Sequence, residues 1–283
     1  MQIHLIFYTS IVLLFFASNS ILVKFALLYE YADAYSFTFL RLLFGAIVLM
    51  ILVFIKEKKI NISFKQNRLS SLMLFSYAIF LSYAYLSLDA GLGALILFAA
   101  VQLTILLYSL IKKESITLQK VLGIVISFGG LVYLLYPSES FELSLFHVIL
   151  MIISGISWGV YTILGKSSTN ATKHTMDNFI IATLLCIIVA IFLCPDINTT
   201  SNGVIIAFIS GGITSALGYA LWYYILPQMQ SITSGIIQLL VPPIAIFISV
   251  LFLGELLTLK LVISTCVILL GILIAILSKQ KIS

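Results

Sequence analysis

Charge is what this chain has least of. Charged residues make up 9% of its 283 positions against 62% hydrophobic, where a soluble domain carries about a quarter charged. Such a chain cannot cover itself with polar surface, which excludes a soluble globular protein and leaves an integral membrane protein. Histidine is scarce as well. His4, His147 and His174 stand at or near the ends of apolar runs, and no H-E-x-x-H occurs, so a metal-dependent intramembrane hydrolase has no ligand set. No Ser–His pair falls at membrane depth either. The three cysteines, Cys186, Cys194 and Cys266, lie in or at the ends of apolar runs and give neither a disulfide framework nor a metal spacing. No carboxylate sits deep in an apolar run, so proton antiport through a midplane acid has no residue to use. The net charge of +5 is spread over short polar links and does not form a nucleic-acid face. No cofactor and no metal are expected, and the chain does not read as an enzyme. About the first 25 residues lack the positive n-region of a leader, and Lys24 occupies the place of a cleavage site, so they read as a retained helix.

What is present is hydrophobic length. Ten apolar segments fall at about 5–27, 34–55, 69–88, 92–111, 118–136, 145–165, 176–194, 203–226, 231–253 and 258–277, each near the ~20 residues that cross a bilayer as a helix. No link is long enough to hide a soluble domain. The longest polar stretch, 56–68, is a candidate for a short interfacial helix. With the N-terminus in the cytoplasm, twelve of the fifteen Lys and Arg residues fall on the cytoplasmic side, and only Lys24, Arg41 and Lys260 in the outer half. The acidic residues Glu30, Asp33, Asp89, Glu139, Glu142, Asp196 and Glu255 fall outside. The positive-inside rule then puts both termini in the cytoplasm. The expected location is the plasma membrane, a bacterial inner membrane, crossed many times.

The stretch 231–271 repeats the stretch 90–130. At an offset of 141, Glu114 matches Glu255, Thr117 matches Thr258, Leu118 matches Leu259 and Gly130 matches Gly271. At 142, Phe16-Ala17 followed by Lys24 matches Trp158-Gly159 followed by Lys166. The offset is half the chain, which marks a duplicated unit, 1–141 and 142–283. Five segments per unit is an odd number, so the second copy enters the membrane from the other side. The expected fold is an all-α integral membrane protein: ten transmembrane helices in two inverted five-helix repeats around a central cavity. Secondary transporters have this architecture, with the substrate near the midplane between the halves and discontinuous helices lining the site. Pro242 and Pro243 interrupt the ninth segment, freeing the carbonyls of Gln238 and Leu239. Freed backbone groups at that depth are tolerated only against protein or water.

Polar and aromatic residues inside the segments are the site candidates. Gln102 and Gln238 lie mid-segment, as pathway residues or as helix–helix hydrogen bonds. Trp158, Tyr161, Tyr219 and Trp222 suit the wall of a cavity for a flat or amphipathic solute, with packing the competing reading. Tyr223 and Tyr224 fit an interfacial belt. Asn19, between Ser18 and Ser20, packs helices or lines the cavity. Lys24 can snorkel to the outer interface. Arg41 lies about two turns into the second segment, paired with Asp33 or Glu30 or attracting an anionic group. Glu114 and Glu255 sit at helix starts, facing the positive end of a dipole. Gly211 and Gly212, with Ser215 and Gly218, form a small-residue stripe that allows close packing or rocking. Pro242, Pro243, Gly211 and Gly212 are the hinge candidates.

Several of these residues also carry a resemblance. They are Trp158-Gly159-Val160-Tyr161, the run Gly218-Tyr219-Ala220-Leu221-Trp222-Tyr223-Tyr224, Pro242, and Leu253-Gly254-Glu255 followed by Thr258 and Gly271. In the first half they are Arg41, the run Gly93-Ala94-Leu95-Ile96-Leu97-Phe98, Val101-Gln102, and 114–130. In order and two-copy layout, the chain resembles the drug/metabolite transporter superfamily, EamA type. The resemblance implies two inverted five-helix units around a central cavity and export or exchange of small metabolites by alternating access, here an amino acid-like or nucleobase-like solute. Val101-Gln102 stands where that family often has a proline, which implies two unequal gating helices. The expected partners are a small-molecule solute and the lipid bilayer, with a homodimer left open. The competing functions are a flippase for a lipid-linked substrate and, behind it, an intramembrane enzyme.

Overall fold

Hydrophobic length and terminal caps together set ten helical spans among the described residues. The structure, a computed structural model, describes residues 3–64, 67–113, 117–136, 144–195 and 197–276. The spans are α1 (Ile3–Leu28), α2 (Ala34–Glu57), α3 (Arg68–Ala84), α4 (Ala90–Ile111), α5 (Leu118–Leu135), α6 (Leu145–Gly165), α7 (Ala171–Leu193), α8 (Ser201–Gln228), α9 (Ser231–Leu253) and α10 (Leu259–Ile276). Seven of them are long and apolar enough to cross a membrane, and three shorter apolar helices complete the set. Among the described residues, β-structure is confined to one bridge, Ala32 to Thr199.

The caps explain where the boundaries fall. Asp33 Oδ1 accepts the Ser36 amide at 2.8 Å and starts α2, and Thr200 Oγ1 accepts the Gly203 amide at 3.2 Å and starts α8. Asn170 Oδ1 accepts the Lys173 amide at 3.1 Å, so α7 begins at Ala171, five residues before the apolar run suggested. The repeated Thr117 and Thr258 prove to be the same cap in both halves: Thr117 Oγ1 accepts from Lys120 N (3.3 Å) and Thr258 Oγ1 from Leu261 N (3.1 Å). Helix α3 stops at Ala84, four residues short of the apolar run, in a turn closed by Leu86 N to Tyr83 O and Ser87 N to Ala84 O. The described part of the 56–68 stretch forms no helix of its own between Glu57, where α2 ends, and Arg68, where α3 starts; Lys58 ends α2 in the left-handed region (φ 56). Glu114 lies outside the described residues.

Two spans are discontinuous. Helix α9 divides into Ser231–Gln238 and Val241–Leu253. The break precedes Pro242 and Pro243, which lie in the first turn of the second piece. That turn is where a missing N–H costs nothing. Helix α8 passes through a π-helical turn, Ile209–Ser215, that contains Gly211 and Gly212. Such turns are frequent at functional positions.

The packing has a twofold pattern. Helix α3 lies on α6 as α8 lies on α1, and α4 lies on α6 as the second piece of α9 lies on α1. Helices α5 and α10 cross at small residues. A Cβ on Gly123 would lie 2.4 Å from the Gly271 carbonyl oxygen, and one on Gly130 would lie 3.0 Å from that of Ser264. Ser127 Oγ donates to Ile268 O at 3.2 Å, across a separation of 141. Exchanging each residue for its copy turns the Gly123–Gly271 contact into Gly130–Ser264 and leaves Ser127–Ile268 unchanged. Along this seam residue numbers rise on α5 as they fall on α10. The equivalent helices therefore run antiparallel, and one half is upside down relative to the other. Polarity is distributed as a bilayer requires: Asn19, Arg41, Gln102 and Gln238 are buried, while Ile111, Phe192, Leu251 and Phe252 are exposed.

Candidate functional site

The pseudo-twofold brings duplicated residues face to face. Tyr77 on α3 and Tyr219 on α8 are 142 apart, and the Tyr219 hydroxyl donates to the Tyr77 hydroxyl at 3.2 Å. Phe16 and Trp158, the pair matched at the same offset, meet edge to face at 5.1 Å between ring centroids. Trp158 lies 4.6 Å from Tyr219, 4.9 Å from Tyr77 and 5.4 Å from Tyr161. Phe16 also presents its edge to Trp222 at 5.7 Å. These rings are all buried, and Tyr223, placed in an interfacial belt by the sequence, is buried beside them, 5.0 Å from Tyr161. Its neighbour Tyr224 is exposed, as a belt residue is. Tyr77 and Phe179 belong to the cluster and were not among the sequence candidates; the 142 offset of Tyr77 from Tyr219 was the available signal.

Arg41 ties this cluster together at 1% exposure. Its Nε donates to Ser215 Oγ at 3.0 Å, and its Nη2 donates to Tyr219 OH at 2.6 Å and Tyr77 OH at 3.2 Å. The guanidinium carbon sits 5.4 Å from the Tyr77 ring centroid, within cation–π range. The Arg41–Asp33 pairing expected from the sequence is not formed. Eight residues of helix place Arg41 about 12 Å deeper than Asp33, whose carboxylate is taken by the Ser36 and Asn198 amides. Gly211 lets α8 approach α2 at this point, since a Cβ there would lie 2.0 Å from the Arg41 carbonyl oxygen.

The remaining candidates surround the same seam. Asn19 Oδ1 is within hydrogen-bond reach of the hydroxyls of Ser210 (3.0 Å), Thr214 (2.6 Å) and Ser215 (3.2 Å). Gln238 Oε1, at the break in α9, accepts from Trp158 Nε1 at 2.7 Å. Gln102 Oε1 rests on Gly235, where a Cβ would lie 2.4 Å away. Lys24 stays inside the protein instead of reaching the outer interface: it is 8% exposed and its Nζ donates to Tyr85 O at 3.2 Å.

The two ends of the bundle differ. At the end that carries Lys58 and Lys59, a cavity of about 280 Å³ opens between α3, α6 and α7, with Asn67, Ser70, Lys173, His174 and Asp177 in its wall. Asp177 Oδ2 accepts from Asn67 Nδ2 (2.9 Å) and Lys173 Nζ (3.1 Å). Asn178 links this wall to the cluster, with its Nδ2 donating to Ser70 Oγ at 3.0 Å and to Tyr161 OH at 3.5 Å. The opposite end is latched between halves. Asp33 Oδ2 accepts the Asn198 amide at 2.7 Å, and Thr200 N donates to Tyr31 O at 2.8 Å. Glu255, on the α9–α10 link, accepts the amides of Ala90 (2.5 Å) and Gly91 (3.1 Å). It therefore meets a helix dipole as expected, but that of α4 in the other half instead of its own helix.

Ten helices in two inverted halves, joined by a buried aromatic and guanidinium seam, define the inverted-repeat class of membrane protein to which secondary transporters belong. The model of the EamA-like transporter family matches residues 4–136 and again 145–277. The chain belongs to that family and carries two copies of its unit. It is 38% identical over 264 residues to the uncharacterized protein PA1977 of Pseudomonas aeruginosa, covering 93% of this chain and 91% of that one. It is 27% identical over 206 residues to an uncharacterized transporter of Archaeoglobus fulgidus (71% and 72% covered), and 23% identical over 251 residues to the uncharacterized transporter YoaV of Bacillus subtilis (83% and 85% covered). A protein of known crystal structure shares the fold, with a TM-score of 0.73 at 15% identity over 95% of this chain and 98% of its own.

Proposed function

We propose that this membrane transporter carries a small amino acid-like or nucleobase-like solute by alternating access, in export or exchange. The solute binds along the seam that holds Arg41, with Asn19, Gln102, Trp158, Tyr161, Tyr219, Trp222 and Gln238 as its candidate contacts. The observation that carries this reading is the asymmetry between the ends. A polar cavity opens at one face, its wall bridged between the halves by side-chain contacts such as Asp177–Asn67 and linked through Asn178 to Tyr161, while at the other face backbone-to-backbone bonds also join the halves. The open end carries the basic links and faces the cytoplasm, with both termini on that side of a bacterial plasma membrane. The break before Pro242 and Pro243 and the π turn at Gly211 and Gly212 are the places where the helices flex between the two states. The protein acts as a carrier and leaves its solute chemically unchanged.

Purified protein in liposomes, assayed for exchange of labelled phenylalanine, leucine, adenine and uracil, tests this. Saturable exchange of at least one of them, lost in Trp158→Ala, is the expected result. Protein-dependent flux that stays linear in concentration and survives Trp158→Ala would count against it.

A further inference from the structure

The seam holds more hydrogen-bond donors than acceptors. Arg41 Nη1, Asn19 Nδ2, Trp222 Nε1 and Gln102 Nε2 are buried nitrogen donors with no partner among the described residues. Gln102 Oε1 is the one unpartnered acceptor in that group. Three of the four are in one connected cluster: Asn19 reaches Arg41 through Ser215, Arg41 reaches Tyr219, and Tyr219 and Trp222 both pack on Phe16. Gln102 rests on Gly235, one turn before Gln238, whose amide holds the Trp158 indole.

Arg41 adds a full positive charge. Its hydrogen-bond partners are the neutral hydroxyls of Ser215, Tyr77 and Tyr219, and no described carboxylate lies within ion-pair distance of it. A guanidinium has five donors in a planar fork that matches a carboxylate. A buried cation without a counter-ion is costly and is relieved when an anion enters. One ring further on lie Trp158, packed against Tyr77 and Tyr219, and Phe16, packed against Tyr219, with Trp222 against Phe16; these rings suit an apolar ring but supply no negative charge.

We propose that the transported solute is an organic carboxylate with a flat apolar body, and that Arg41 is the residue that receives the carboxylate. The carboxylate oxygens take the donor of Nη1 and draw on the surplus of Asn19 and Gln102, while the ring stacks among the aromatic side chains. This rests on the transporter reading above and narrows it. Compounds that lack the carboxylate leave the guanidinium unpaired and are rejected.

The test compares compounds that differ in the carboxylate alone. Phenylacetate is set against phenylacetamide, indole-3-acetate against indole-3-acetamide, and orotate against uracil. Binding is read as the melting shift of the purified protein against ligand concentration, and exchange as counterflow in liposomes. The carboxylate of at least one pair is expected to bind about 10- to 100-fold more tightly than its partner, the worth of one charged hydrogen bond. Arg41→Gln is expected to abolish that ratio and Arg41→Lys to retain part of it. Equal binding within every pair, no binding by any carboxylate, or an unchanged ratio in Arg41→Gln overturns the proposal. The comparison within pairs uses the wild-type protein, so a variant that fails to fold leaves the test intact. Discriminating binding without counterflow would uphold the anion site and sink the transport reading; counterflow without discrimination would do the reverse.

Discussion

Removing the Glu255 carboxylate is a direct trial of how the two halves are held. Its oxygens accept two amides at the start of α4, at 2.5 and 3.1 Å, from a link that belongs to the other half. A hydrogen bond to a charged group contributes about 1.5–3 kcal/mol, and an anion at a helix N-terminus up to ~2 kcal/mol in a partly buried setting. The two descriptions overlap, and Glu255 is only half-buried, so the lower end applies. Glu255→Ala should therefore cost about 2 kcal/mol. Glu255→Gln keeps one acceptor without the charge and turns an amide donor toward a backbone N–H, for a loss of about 1 kcal/mol. Glu255→Asp is one methylene short and should resemble Ala. In a chain of this size about 2 °C of melting temperature corresponds to each kcal/mol, which gives drops of ~4 °C for Ala and Asp and ~2 °C for Gln. The assay is thermal unfolding of the purified protein in detergent at low and at physiological salt. Unchanged melting in Glu255→Ala, or a larger loss in Gln than in Ala, would refute the capping argument.

Other substitutions test other parts of the structure. Gly211→Ala drives a methyl into the Arg41 carbonyl; a cost of about 3 kcal/mol is expected, seen as poor yield and early melting. Gly129→Ala, at a helical position with nothing within 4 Å of the added atom, should be neutral or stabilise by ~0.5–1 kcal/mol. Asp33→Ala removes the α2 cap and the Asn198 contact together and should lower stability by about 1–2 kcal/mol, read by the same melt. Trp158→Phe keeps the ring packing but releases Gln238; melting should fall by only ~1 kcal/mol-equivalent while solute exchange drops well below the wild type. In a background lacking cysteine, Lys58→Cys should react with an impermeant thiol reagent only from the cytoplasmic side and Leu256→Cys only from outside.

Much of this was legible because a bilayer imposes its length on every span. The ninth apolar segment, 231–253, coincides with α9 because the glycine that interrupts the apolar run, Gly254, also ends the helix in the left-handed region (φ 66). The seventh does not coincide with α7, because Asn170 extends the helix through a polar turn that hydropathy leaves out. The duplicated Thr117 and Thr258 were visible as a repeat before their role as caps was, since a cap is a matter of geometry and not of spacing. Arg41 stood out in the sequence by its depth, yet its partners Ser215 and Tyr219 lie far away in sequence. Acidic residues near in sequence were the wrong place to look: a helix carries Asp33 and Arg41 apart, while the fold carries Ser215 and Tyr219 in. Tyr77 escaped for a related reason. One tyrosine in an apolar run looks like packing until its copy is placed opposite it. Glu255 shows the same limit, with a carboxylate at a helix start whose target is a different helix.

The twofold does not extend to Arg41. At the positions matching Arg41 the second half has Ala182 and Thr183, so the scaffold is duplicated and the charge is not. Rotating the molecule end for end restores its walls and displaces its cation. On the carboxylate reading proposed above, a bound molecule would keep one way up throughout the cycle, head toward α2, and leave either face of the membrane with opposite ends leading. The scaffold treats its two faces alike, and the single guanidinium gives it a handle.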